Sequence, residues 1–236
     1  MPKDWLASWC QNDEDLGSAG PLLISPNLLF QSGKRGGGFL LDPNNLGHVD
    51  GQLYPPGGAG YTQAEVCFGN QSDATFGSFA YAAPFVYLEC DGRGVVAINT
   101  NTSAPSFSAC DPACAAPNWH NGGTHTFGPP IVAGGAVWEI GTDGSGLWAF
   151  DQATGAQLFH SASFTAHRFV TPSEAGGHVY VAAGDTILSF NMQFGVLPSS
   201  PEPQPSRSPI LPATPTPAPG RSPVDPASPP PPPTDR

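Results

Sequence analysis

Residues 126–155, TFGPPIVAGGAVWEIGTDGSGLWAFDQATG, carry the densest structural signal in the chain. A Gly-Pro turn at Gly128-Pro129 opens the segment, a short apolar run follows, and Gly134-Gly135 leads into an alternating strand over 136–140. Asp143-Gly144 then turns the chain into a second strand over 146–150, which Asp151 to Gly155 closes with another turn. Two short strands joined by an Asp-Gly turn specify a β-hairpin, because Gly supplies the positive φ that a tight hairpin turn requires.

The same pattern recurs along the chain. A later copy, FVTPSEAGGHVYVAAGDTILSFN, occupies residues 169–191. An earlier one, TFGSFAYAAPFVYLECDGRGVVAINTNT, occupies 75–102, with Val86-Tyr87, Asp91-Gly92 and Ile98-Asn99 where Val137-Trp138, Asp143-Gly144 and Phe150-Asp151 stand later. A further copy, AGPLLISPNLLFQSGKRGGGFLLDPNNLG, spans 19–47, with Leu29-Phe30, a Gly-rich turn around Gly36, and Leu41-Asp42. Asp42, Asn99, Asp151 and Asn191 mark one repeated position at intervals of 57, 52 and 40 residues. Periods of this size belong to arrays whose units bury their faces against neighbouring copies.

An apolar-aromatic pair, a Gly/Asp turn, Leu-x-Ala-Phe-Asp and then Thr154-Gly155 together resemble the repeat of the pyrroloquinoline-quinone-like (PQQ-like) β-propeller family, over about residues 13–194. The resemblance implies an all-β chain: a partial β-propeller of about four blades built from antiparallel sheets over 1–197, followed by a Pro-rich tail over 198–236. It also implies that Asp13-x-Asp15-Leu16-Gly17-Ser18-Ala19-Gly20-Pro21 is the lead-in to an internal blade, so that the chain is the C-terminal portion of a longer protein. A short product whose N-terminal residues form a clasp is the other option. Propellers need about four to eight blades, and the ring buries its first and last sheets only when closed. An incomplete ring therefore leaves open faces and edges, and the chain expressed alone is expected to associate or aggregate.

Composition bounds the function. With 236 residues, 39% hydrophobic, 11% charged and no run of 18 apolar residues, the chain has no membrane-spanning signal. Aromatic residues at 10% and 29 glycines suit short strands with many tight turns. The formal charge is −11, and in the tail Glu202, Asp225 and Asp235 cancel Arg207, Arg221 and Arg236. Lys3, Lys34, Arg35, Arg93 and Arg168 are the remaining cations, too few to neutralise a row of phosphates, which argues against a nucleic-acid partner. The N-terminal MPKDWLASWCQNDEDLG, with Trp5 and Trp9 read as strand-like, lacks the apolar core of a secretory signal.

Five cysteines are present, without Cys-x-x-Cys or a His-spaced zinc pattern, and the loose grouping of Cys110, Cys114, His120 and His125 does not make a metal site. Cys110 and Cys114 flank an Asp111-Pro112 turn, and Cys67 and Cys90 fall on neighbouring strands around one hairpin, so Cys67–Cys90 and Cys110–Cys114 are the expected disulfides. Cys10 is left over, either orphaned from an upstream partner or a buried thiol. Disulfides imply an oxidising compartment: extracellular, periplasmic or cell-wall associated. The loop over 103–123 then reads as a stapled insertion with Trp119 and His120 exposed, and residues 64–68 as a short outer strand.

Recognisable chemistry is sparse. No nucleophile elbow is present, and Gly144-Ser145-Gly146 reads as a hairpin turn. Asp13 and Asp15 alternate along an extended strand and do not form a glycosidase pair, the loop at Asp143–Ser145 is too poor in oxygen ligands for calcium, and His160 and His167 are expected to face solvent. The Gly-rich loop over 33–38, GKRGGG, matches neither phosphate-binding pattern. By resemblance to quinoprotein dehydrogenases, Lys34 is the one candidate cofactor-binding residue; the competing reading makes Lys34 and Arg35 caps of a solvated turn. The resemblance thus implies two functions. One is a non-enzymatic extracytoplasmic binding or scaffold propeller, without cofactor, that meets a protein or cell-wall partner. The other is a fragment of a PQQ-dependent dehydrogenase with quinone and calcium over the channel, against which the missing adjacent-cysteine pair and tryptophan docking signature speak. The tail is expected to be a disordered polyproline-II spacer or a carrier of PxxP ligands.

Overall fold

The computed structural model describes residues 3, 6, 9–57, 64–67, 74–110 and 113–193. The Pro-rich tail, Trp5, Phe68 and the Asp111-Pro112 turn lie outside the described residues. Two short 3-10 turns, Cys10–Asn12 and Leu16–Ser18, lead into fifteen strands among the described residues. Trp9, read as strand-like, instead packs fully buried against Phe39 just ahead of the first turn.

The strands form four consecutive antiparallel sheets. Sheet one is β1 (Leu22–Ser25), β2 (Leu28–Gln31) and β3 (Phe39–Leu41). Sheet two is β4 (Ala80–Ala82), β5 (Phe85–Cys90), β6 (Gly94–Asn101) and β7 (Ser106–Phe107), with β8 (Trp119–Asn121) also paired to β6. Sheet three is β9 (Ile131–Ala133), β10 (Ala136–Gly141), β11 (Gly146–Asp151) and β12 (Gln157–His160); sheet four is β13 (Ser173–Ala175), β14 (His178–Ala183) and β15 (Thr186–Asn191). All four sequence copies therefore form sheets, and register confirms their equivalence: Asn99, Asp151 and Asn191 sit opposite Phe85, Ala136 and His178, the first residues of β5, β10 and β14.

The repeated Asp/Asn has a local cause. Asp42 Oδ1 accepts from the Asn44 amide at 2.8 Å, Asp151 Oδ1 from the Ala153 and Thr154 amides at 3.0 and 2.8 Å, and Asn191 Oδ1 from the Gln193 amide at 2.9 Å. Each side chain mimics a backbone turn and ends its strand. Sheet two runs two residues further, and Asn101 makes the equivalent bonds to Ser103 and Ala104 at 3.0 Å each.

The sheets stack face to face. One apolar cluster joins sheets one and two through Phe30, Leu40, Val86, Leu88 and Ile98; a second joins two and three through Tyr87, Val95, Val137 and Phe150. A third joins three and four through Trp138, Ile140, Leu147, Val179 and Val181. Residues on opposite faces of one strand thus serve different neighbours, since side chains alternate across a strand. Every residue of β10 is buried, as is every residue of β5, because an inner sheet is covered on both faces.

The lead-ins to the sheets converge. Ala19, Gly77, Gly128 and Val170, each 21–23 residues ahead of its repeated Asp/Asn, meet in succession. Ala19 bridges Gly77, with Gly20 N–H donating to Gly77 O at 2.8 Å; Gly77 packs on the Pro129 ring; and Gly128 abuts the Val170 carbonyl so closely that a Cβ there would clash. Four sheets radiating from one line of contacts, open between the first and fourth, are a partial β-propeller.

Candidate functional site

The convergent lead-ins build one cluster of unusual side chains. Arg168 lies with its guanidinium 4.3 Å from the Phe76 ring centroid and 5.8 Å from that of Phe169. Phe76 and Phe169 meet edge to face at 6.1 Å. Phe169 is 54% exposed and is held at φ +68°, a left-handed conformation that bulky residues adopt only under constraint. Among the described residues no carboxylate comes within ion-pair distance of Arg168.

Beneath this surface lie two carboxyl groups. Glu89, near the end of β5, is on the face of sheet two that meets sheet three; Glu139, in β10, is on the face of sheet three that meets sheet two. Both Glu139 oxygens and Glu89 Oε2 are buried without a hydrogen-bond partner among the described residues. Burial, and then the Glu89 charge, push the Glu139 carboxyl well above its ordinary value. Burial and the neighbouring Asp91 do the same to Glu89, opposed by a hydrogen bond from the Phe76 backbone and by the Arg168 charge. Both shifts favour the protonated forms, since ionising both groups in an apolar interface is costly. Each is the single charged residue in an apolar strand, FVYLEC and AVWEIG, and that was the sequence signal for them.

A second polar cluster lies at the far turn of β10 and β11. His125 Nδ1 pairs with Asp143 Oδ2 at 2.7 Å, and Trp148 has His160 stacked on it at 3.6 Å and His125 at 5.0 Å. Burial raises the Asp143 carboxyl, but bonds from Ser145 and His125 outweigh it and hold its pKa below the ordinary value. His160 is exposed yet committed, its Nε2 2.7 Å from the Ser145 carbonyl oxygen.

Lys34 lies in neither cluster. Its ammonium meets Asp15 Oδ2 at 2.8 Å and Asp13 Oδ2 at 3.3 Å, and donates to the Asp13 carbonyl at 3.1 Å. The Asp15 bond raises its pKa, burial opposes this, and Asp13 adds to the rise. Arg35 pairs with Glu14. The turn is not solvated: Ser32, Gly33 and Gly36 are buried, and Lys34 and Arg35 tie down the N-terminal segment. Asp13 and Asp15 do not alternate away from each other but converge on the one lysine, because Asp13 adopts φ +57° after a 3-10 turn.

Both expected disulfides are formed, Cys67–Cys90 and Cys110–Cys114, and Cys10 is an exposed free thiol, not a buried one. Trp119, expected to be exposed, is 8% exposed: β8 carries it into the interface of sheets two and three, where its indole N–H donates to the Gln152 carbonyl at 3.3 Å. His120 is exposed. Within 64–67 only an isolated bridge from Glu65 to Gly37 forms, in place of an outer strand. Among the described residues no group of three or more His, Cys, Asp or Glu is placed to hold a metal ion, and no helix is long and apolar enough to cross a membrane.

No protein-family model matches the chain, and no curated protein matches it in sequence. Among solved structures it is similar to the computationally designed Ika4 protein, with TM-score 0.51 and 14% identity over 75% of this chain and 91% of that one. It is also similar to BamB from Moraxella catarrhalis, with TM-score 0.44, 20% identity and 73% of this chain covered, and to Citrobacter koseri AztD in its apo form, with TM-score 0.33, 12% identity and 74% covered. The chain spans 44% of BamB and 57% of AztD. The likeness to Ika4 agrees with the radial stacking seen here, and the fold of this chain is that of an open, four-sheet β-propeller.

Proposed function

We propose that the chain is a non-enzymatic, extracytoplasmic binding or scaffold propeller with PQQ-like repeats, and that it engages a protein partner through the axial cluster of Phe76, Arg168 and Phe169. The observation that carries this reading is the exposed Arg168, without an ion-pair partner among the described residues, lying over the Phe76 ring beside Phe169 where the sheets converge. Arg and aromatic side chains dominate the energetics of protein interfaces, and a guanidinium already organised on aromatic faces loses little freedom when it meets a carboxylate. Two disulfides support an oxidising compartment.

The dehydrogenase reading would assign Lys34 to a quinone. Against it stands the engagement of the Lys34 ammonium by Asp13 and Asp15, which a quinone would have to displace. The discriminating experiment supplies the chain with pyrroloquinoline quinone and calcium and follows dye-linked oxidation of alcohols and sugars together with binding of the quinone. The scaffold reading expects neither turnover nor saturable uptake; turnover abolished by Lys34→Ala would overturn it.

A further inference from the structure

The two end faces of the array are the two halves of an interface the chain already uses three times. In each internal junction, the face of one sheet bearing the odd-numbered residues of its inner strand, the third and fifth of β10 for example, packs on the face of the next sheet bearing the second and fourth residues. Trp138, Ile140, Leu147 and Ala149 of sheet three do this against Val179 and Val181 of sheet four, and all four are fully buried. The register equivalents in sheet four are Tyr180, Ala182, Ile187 and Ser189, and every one is exposed, Tyr180 by 37% and Ile187 by 58%. The opposite end is the receiving face of sheet one. Of its four equivalent positions, Gln31 and Phe39 are covered by the N-terminal segment, Phe39 by Trp9. Leu29 and Leu41, equivalent to Val86 and Ile98 by register, are half-buried, and Leu23 beside Leu29 is 60% exposed, so the open part of this face is its Leu23–Leu29–Leu41 side. Although the whole chain carries a formal charge of −11, none of these seven exposed or half-buried residues is charged.

We propose that a second copy of this chain supplies the missing neighbours: the Tyr180–Ile187 face of each copy packs on the Leu23–Leu29–Leu41 face of the other, closing one ring from two open halves. The partner is a second copy because the two faces are the donor and acceptor sides of the same repeated junction, continuing the stacking already present inside the chain. The contact is heterologous, and such contacts form either closed rings or open filaments according to whether the rotation closes. Four sheets per copy give a ring at the upper end of the roughly four to eight blades that propellers use. The axial cluster is not part of this contact, so the assembly and the proposed binding function stand or fall separately.

Sedimentation equilibrium of the full chain between about 1 and 100 µM is the test. The expected result is a species of twice 24.4 kDa. Ile187→Arg on one face and Leu23→Arg on the other, both at exposed positions, should each weaken association at least tenfold while leaving the melting transition in place. A monomer throughout the range, a dimer indifferent to both arginine variants, or larger head-to-tail assemblies would each overturn the closed pair.

Discussion

Glu139 is the residue whose presence is hardest to reconcile with stability alone. Its register equivalent in sheet two is Leu88, also fully buried, so the fold accepts a leucine at this position. A carboxyl whose folded-state pKa is raised is protonated in the folded chain and ionised in the unfolded one above its ordinary value of 4.5. Stability is then greatest below that value and is lost as pH rises through the folded pKa, because the unfolded state binds fewer protons in that window. Glu139→Leu should stabilise the chain by about 1–3 kcal/mol at pH 7 and flatten the fall in melting temperature between pH 5 and 8. Thermal melts at several pH values read this directly, and an unchanged slope would mean that Glu139 is paired in solution. Phe169 offers the opposite test: Phe169→Gly should gain about 1 kcal/mol by relieving a left-handed backbone, while weakening the docking proposed for the axial cluster.

Among the elements, the hairpins were legible because their turns and apolar pairs are local: Asp143-Gly144 specifies its turn chemically, and all four copies form sheets. The exposure of those strands was not legible. The pattern over 136–140 looks the same whether one face meets solvent or another sheet, and only stacking decides that all of β10 is buried. The outer strand β8 looks like loop in the sequence because it has three residues and pairs across an insertion, and the burial of Trp119 is hidden with it. Lys34 was found as a noteworthy residue, but its partners Asp13 and Asp15 turn toward it only through a positive-φ residue that the sequence does not announce. The two disulfides were legible from spacing around one hairpin and around Asp111-Pro112, although Cys67 lies in no strand, and their contributions should differ with loop length. Cys67 and Cys90 are 23 residues apart and Cys110 and Cys114 only 4, so chain entropy gives about 3 kcal/mol for the first and about 2 for the second. Denaturant melts of Cys67→Ala/Cys90→Ala and Cys110→Ala/Cys114→Ala should rank in that order.

At the scale of the whole molecule, the array behaves as a short stack in which each sheet depends on its neighbours. The inner sheets two and three are covered on both faces and the end sheets on one, so amide exchange should be slowest in β5 and β10 and faster in β14 and β15. The axial line from Ala19 through Gly77 and Gly128 to Val170 gives the stack its radial form. The most direct check of that form is a set of methyl NOEs in the labelled chain. Radial stacking predicts cross-peaks from Ile140 to Val181 in sheet four and from Val137 to the aromatic ring of Tyr87 in sheet two, with none between Val137 and Val181. A cross-peak joining Val137 to Val181, or the loss of both predicted contacts in a folded sample, would contradict it.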